Sequence, residues 1–456
     1  MKSYITFYLA LLFIPLLLSG QAVPASIKTT NENTYTKVRA IQEKAHILMS
    51  SPAYTDNDLP EALTLITASE KQSQKLKDNE VIARGHVLYA QYWRLSGEKE
   101  KGKNFAEKAL SIAAPLKLYD VVGAASQELY EYYDWYTQLD KKTEYLEKAL
   151  EAFAKKSSKK EMADMLSLAS EHYNYIRDNE KAIASGEKAL AMYKSAGEKN
   201  LINIYRIMGY NYATAGNFKK ALEYSLIGAR YGEEQGGMPF QMSYINSQIS
   251  GIYHQLNEPD KSREYLLKAL ENAKQSKDTA QIFIISSNIV HNFISLKRYS
   301  DAEKFLKKAE RENVTDAPHL NLIFKVCFTT IYTKLGKYST AEKYCNEILA
   351  IVNRYHDQLP PHQIFNARHT ATSFYFTVGK YATAKKMLET NLPYAEKSPG
   401  YTNKKIAYTS AFKIDSVLGN YKGAFRYYQL IKTIDDSLFN IDKNKQLSQL
   451  QLQYET

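Results

Sequence analysis

The stretch Tyr205-Arg-Ile-Met208-Gly-Tyr-Asn-Tyr212-Ala-Thr-Ala-Gly216-Asn-Phe218-Lys-Lys-Ala221-Leu-Glu-Tyr-Ser225 decides how this chain folds. Apolar or small residues fall at Tyr205, Met208, Gly209 and Tyr212, then at Phe218, Ala221, Leu222 and Ser225. These three- and four-residue steps mark one face of each of two helices. Between them lies Ala-Gly-Asn, where Gly216 can take the left-handed conformation that ends a helix without a Cβ clash. Phe218 can then pack across the turn, and the small Ala221 lets the second helix approach the first closely. The stretch reads as a helical hairpin.

Working outward, the same register recurs along most of the chain. An aromatic stands at the Tyr212 position in Trp93, Tyr133, Tyr173, Tyr253, Phe293, Tyr332 and Tyr375. Nine residues after each aromatic comes a second, usually small anchor: Gly102, Lys142, Ala182, Ala221, Ser262, Ala302, Ala341 and Ala384. Ala62 and Ala424 extend the series, giving anchors spaced 39 to 43 residues apart. Gly97, Gly336, Gly379 and Gly419 hold the turn position of Gly216, and Tyr299, Tyr338, Tyr381 and Tyr421 that of Phe218. The pattern is poorest around Lys142 and at Ala62, whose preceding helix lacks the aromatic, so distorted or capping units are expected there.

The segments Gly216-Asn-Phe218-Lys-Lys-Ala221, Gly336-Lys-Tyr338-Ser-Thr-Ala341, Gly379-Lys-Tyr381-Ala-Thr-Ala384 and Gly419-Asn-Tyr421-Lys-Gly-Ala424 resemble the tetratricopeptide repeat. The resemblance covers roughly residues 35 to 435 and implies an all-α fold. The expected architecture is an α-solenoid, a right-handed superhelix of about ten helical hairpins, continuous because each hairpin buries its face on its neighbours. The period exceeds the family's usual value of about 34 residues, so longer helices or connections are expected.

At 44% hydrophobic and 24% charged residues the composition is that of an ordinary globular chain. The formal net charge of +11 raises the possibility of nucleic acid as a partner. The basic residues are mostly interleaved with acids, as in Glu98-Lys-Glu-Lys101 and Glu303-Lys304, which reads as a solvated face. No nucleic-acid partner is expected.

At the N-terminus Lys2, the apolar run Tyr4 to Leu18 and Ser-Gly-Gln-Ala read as a secretory signal over residues 1–22, cleaved after Ala22 or Gly20. A polar leader, 23–34, follows. The apolar run is short for a membrane span, which needs about 20 residues. An exported, periplasmic protein is expected, touching the membrane only through an uncleaved signal or a missing C-terminal span. Cys327 and Cys345 could in principle bridge in an oxidising compartment, but two small buried hydrophobes are the simpler reading.

The usual constellations of catalysis are absent: there is no Gly-rich phosphate loop, His-Glu-x-x-His pair, Gly-x-Ser-x-Gly elbow or Cys-x-x-Cys. No enzyme activity, cofactor or metal is expected. His254 and His291 are too few for a closed metal site, where about four ligands are usual.

Function is therefore expected from a surface. The resemblance implies that the first helix of each hairpin lines the concave side, with groove positions two before and one or two after the anchor aromatic. Carried over, this selects Gln91, Arg94, Glu131, Asp134, Trp135, Glu171, Asn174, Tyr175, Tyr210, His254 and His291. One to two turns earlier the same face would present Arg84, Gln127, Asn203, Arg206 and Tyr244. Mixed aromatic and polar groups suit an extended peptide or the amphipathic helix of a protein partner.

After the last full repeat, Leu447, Leu450 and Tyr454 have coiled-coil spacing within a polar, helix-forming stretch. Residues 436–456 are read as a C-terminal helix, either capping the array or starting a coiled coil. With Asp436-Ser-Leu and the closing Leu-Gln-Tyr-Glu-Thr, this junction resembles the exported repeat regions of bacterial sensor histidine kinases and regulators. The resemblance implies sensory input to a downstream kinase or DNA-binding domain in a longer chain; the alternative is a stand-alone scaffold or adaptor assembling envelope or nutrient-uptake proteins.

Overall fold

A computed structural model describes residues 30–50, 58–135, 138–156, 158–398 and 401–436. The signal segment 1–22 lies outside the described residues, as does the C-terminal stretch beyond 436.

The amphipathic faces read from the sequence fold into consecutive helical hairpins. The first four are α1 (Thr30–Ser50) with α2 (Asp58–Leu76), α3 (Asn79–Leu95) with α4 (Lys99–Ala113), α5 (Tyr119–Tyr132) with α6 (Leu139–Lys155), and α7 (Lys159–Tyr175) with α8 (Asn179–Ser195). Then come α9 (Ile202–Thr214) with α10 (Phe218–Glu234), α11 (Pro239–Gln255) with α12 (Pro259–Gln275), and α13 (Thr279–Ser295) with α14 (Tyr299–Glu312). The last are α15 (Pro318–Lys334) with α16 (Tyr338–Arg354), α17 (Pro361–Thr377) with α18 (Tyr381–Lys397), and α19 (Tyr401–Val417) with α20, residues 421–436. Among the described residues there is no β-strand. The fold is an all-α solenoid of hairpins. Its long period resides partly in the helices, since α10, α12, α16 and others run to 17 residues.

The turns form as their sequence dictates. Gly216 has φ 79°, its N–H donating to the Ala213 carbonyl at 3.0 Å while Asn217 N–H donates to the Tyr212 carbonyl at 2.8 Å. These bonds satisfy carbonyls that a helix end would otherwise leave bare. Arg177, Asn257 and Lys297 stand at the same place with φ 66°, 57° and 58°. The turn therefore imposes the left-handed conformation even where no glycine relieves it.

All ten anchors from Ala62 to Ala424 are buried. Gly102 shows why they are small: a Cβ added there would collide with the Tyr132 ring, whose hydroxyl donates to the Ala90 carbonyl. Lys142 is the exception in size and is nonetheless 1% exposed. In the tenth hairpin Asp415 takes the place of the anchor aromatic, nine residues before Ala424; it is buried, accepting from Lys385 Nζ at 2.7 Å and Asn420 Nδ2 at 3.1 Å.

The chain divides into two compact units, residues 1–169 with 191–197, and residues 170–190 with 198–456. In the first unit Ala90, Ala106, Leu129, Tyr132 and Tyr133 form one core cluster. In the second, Phe283 stacks on Phe324 at 4.2 Å and Phe328 on Tyr344 at 4.7 Å, within or against a core that also buries Cys327 and Cys345. Both cysteines are free, and burial pushes both thiols up to about 11.

Candidate functional site

In the first unit three of the selected polar residues, Arg84, Gln91 and Arg94, are bonded to a neighbouring first helix. Arg84 on α3 pairs with Asp120 at the start of α5 and with Glu80 one turn back. Gln91 is 2% exposed; its amide donates to Ser50 Oγ at 3.0 Å and accepts from His46 Nδ1 at 3.1 Å. Arg94 donates two hydrogen bonds to Glu128 on α5, at 2.8 and 3.1 Å, and this carboxylate raises the guanidinium pKa against the effect of burial.

Gln127 and Glu131 on α5 are half-buried, and Asp134 is exposed just past its end. Trp135, half-buried, receives the Lys142 ammonium 4.6 Å from its ring centroid, while Tyr130 receives it at 3.8 Å.

The second unit begins in the same way. Arg206 on α9 donates to Glu171 at 2.7 Å and to Asn203 on its own helix at 2.9 Å. Buried Asn174 donates to Asn211 Oδ1 at 2.9 Å, and Asn211 donates to Ser170 Oγ at 2.7 Å. Tyr175 is half-buried, and the Tyr244 hydroxyl donates to Asp278 at 3.2 Å.

Further along, the side chains come free. Tyr210 is 47% exposed, His254 is exposed, and exposed His291 keeps Nδ1 within its own helix, donating to the Ser287 carbonyl at 2.8 Å with the Ser287 hydroxyl 3.4 Å away.

One register position organises this face. Two residues before the anchor place stand Tyr210 on α9, Gly251 on α11, His291 on α13, Thr330 on α15, Ser373 on α17 and Lys413 on α19. All are exposed except half-buried Thr330. Gly251 is unusual because an added Cβ would meet nothing within 4 Å, whereas helical glycines such as Gly186 and Gly209 are pressed by neighbouring side chains.

Towards the end of the row a cleft of about 600 Å³ opens between α17 and α19. Phe376, Ile406 and Ile414 supply its apolar wall, Ser373, Thr409 and Ser410 hydroxyls, and Lys405 and Lys413 positive charge. Gly251, Ser373 and Lys413 were not selected from the sequence, although the two-before-anchor register contains all three.

Among the described residues no group of three or more His, Cys, Asp or Glu is placed to hold a metal ion. No described helix is long and apolar enough to cross a membrane.

Residues 244–276, which run from within α11 through the end of α12, match the profile of the tetratricopeptide repeat. No curated protein matches the sequence. Among solved structures, the chain is similar to the apo form of RapI at 15% identity, with a TM-score of 0.55 over 80% of this chain and 96% of that one. It is equally similar to the apo quorum sensor NprR of B. thuringiensis, at 13% identity and TM-score 0.55, covering 88% and 99% of the two chains. A Rap protein complexed with Competence and Sporulation Factor aligns at 12% identity and TM-score 0.51, covering 89% and 99%. At these identities the likeness is one of fold.

Proposed function

We propose that this chain, a tetratricopeptide-repeat protein, is a non-catalytic binding module that takes an extended peptide segment along the first-helix row of its second unit. The observation that carries this reading is the row itself. Tyr210, Gly251, His291, Ser373 and Lys413 occupy one register position on successive first helices and present exposed groups, whereas comparable residues such as Asn174 are committed to bonds within the array. Aromatic and imidazole faces offer contact area at low entropic cost, and the gap at Gly251 lets a ligand backbone approach the helix. Proteins of similar fold are described with peptides bound, NprR with its cognate peptide NprX among them.

The signal-like N-terminus supports a second element of the proposal, that the module is exported, and the likeness of the sequence from Asp436 to the junctions of exported sensor proteins supports a third, sensory input to a downstream kinase or DNA-binding domain.

The test is an unbiased selection of displayed random peptides against the full mature chain, followed by binding to a Tyr210→Ala/His291→Ala variant. Selected peptides should lose about tenfold or more in affinity, about 1.4 kcal/mol or more. Failure to select any peptide, or equal binding by the variant, would overturn the reading.

A further inference from the structure

The distribution of acids in the second unit is one-sided. Asp and Glu make up 49 of the 456 residues of the chain. Yet α9, α11, α13, α15 and α17 contain none, and α19 contains only Asp415, which is buried and held by Lys385. The other acids from α9 onward sit on the second helices and in the connections, Asp278 and Asp316 among the latter, and on the second helices Glu303, Glu342 and Glu347 pair with lysines. From α9 on, the first helices therefore contribute cations and, Asp415 apart, no carboxylate of their own, although Arg206 pairs with Glu171 on α7 and Lys325 with Glu310 and Glu347.

The α17–α19 cleft is where that field meets a built concavity. Lys405 is partly neutralised by Asp435 at 2.5 Å, but exposed Lys413 has no acidic partner among the described residues. Burial holds His369 on the opposite wall below its ordinary pKa, so it is uncharged at neutral pH and Lys413 supplies the free charge. Phe376, Ile406 and Ile414 lie within reach of the same ligand.

We infer that this face recognises an acidic peptide segment, with a carboxylate on Lys413 and an adjacent aliphatic side chain in the α17–α19 cleft. The inference rests on reading the row as a peptide groove and adds the chemistry of what enters it. A peptide fits better than nucleic acid, because a phosphate backbone presents about one charge per 1.7 Å of duplex and needs a dense cationic track. Here the unpaired lysines of the first helices are sparse, and the cleft wall is apolar.

The test uses the full mature chain and a fluorescein-labelled peptide of repeated Glu-Gly-Leu, with repeated Lys-Gly-Leu and oligothymidylate as comparison probes. The acidic peptide should bind, weaken with added salt, and lose about tenfold in affinity with Lys413→Glu. Lys432→Glu, an exposed α20 substitution with the same change in net charge, should leave affinity within about twofold.

Equal binding of the two peptides, tighter binding of oligothymidylate, or indifference to Lys413→Glu would overturn the inference. If peptides selected from the unbiased library need Tyr210 and His291 but are poor in acids and ignore Lys413→Glu, the groove stands and the acidic seat falls. If no library peptide binds while the acidic probe does so through Lys413, the extended groove falls and the local acidic site remains.

Discussion

Lys142 Nζ donates to the Tyr130 carbonyl oxygen at 2.6 Å, at the place where every other hairpin carries Gly, Ala or Ser. The ammonium also faces the Tyr130 ring and donates to the Tyr133 carbonyl at 3.3 Å. The distortion read from sequence at this hairpin thus has a cause: α5 stops at Tyr132, and the long side chain threads back to the carbonyls at the helix end. Burial pushes the lysine down to about 8, against the pull of Glu131 and Asp134.

A lysine depressed on folding destabilises the native state while it must stay protonated. Below about pH 8 the full penalty applies, about 3 kcal/mol for the shift from 10.5 to about 8. As pH rises from about 8 to about 10.5 the folded protein sheds this proton first, the unfolded chain holds more protons, and stability rises. In urea titrations the stability of wild type minus that of Lys142→Met is expected to increase by about 2 kcal/mol between about pH 7.5 and 10. A difference that stays flat would mean that Lys142 keeps an ordinary pKa.

The Arg94–Glu128 pair offers a sharper electrostatic test, because its side chains are only 11% and 8% exposed. Removing one partner strands a buried charge, and Arg94→Met or Glu128→Gln is expected to cost about 3–5 kcal/mol. Arg94→Met combined with Glu128→Met should cost much less than the sum of the two single Met substitutions. Additive losses in the double-mutant cycle would show that the two side chains do not share their energy.

Tyr212 packs at 6% exposure, stacked on Tyr224 with ring centroids 5.4 Å apart, and its hydroxyl donates to Glu187 at 2.9 Å. Truncation to alanine opens a cavity in the packed face, so Tyr212→Ala is expected to cost about 3–5 kcal/mol. Tyr212→Phe, which keeps the ring, should cost about 1 kcal/mol. A thermal melt unchanged by Tyr212→Ala would be incompatible with this packing.

The hairpins were legible because steric rules fix them locally: a left-handed residue at Gly216, an aromatic at Tyr212 and a small anchor at Ala221 each leave a mark at a constant offset. The groove was harder to read because exposure depends on what the next repeat brings. The same register that leaves Tyr210 exposed buries Gln91, since His46 and Ser50 on α1 meet the latter. The neighbours of a first helix lie about 40 residues away in sequence, as with Arg206 and Gln248, whose amide donates to the Arg206 carbonyl at 3.0 Å. Periodicity within one helix carries no record of that partner.

Gly251 separates folding from binding. A glycine inside a helix costs about 0.5–1 kcal/mol relative to alanine, and here no neighbouring side chain demands it. Gly251→Ala should therefore raise stability by about that amount, measured by urea denaturation. A bulky side chain at the same site fills the gap between Tyr210 and His291 in the row, so Gly251→Leu should keep the fold and weaken selected peptides about tenfold or more. If Gly251→Ala lowers stability, the open space beside α11 is filled in solution and the row is not a free surface. If Gly251→Leu binds the selected peptides as wild type does, they do not approach α11, and the path proposed from Tyr210 to Lys413 is broken at its second step.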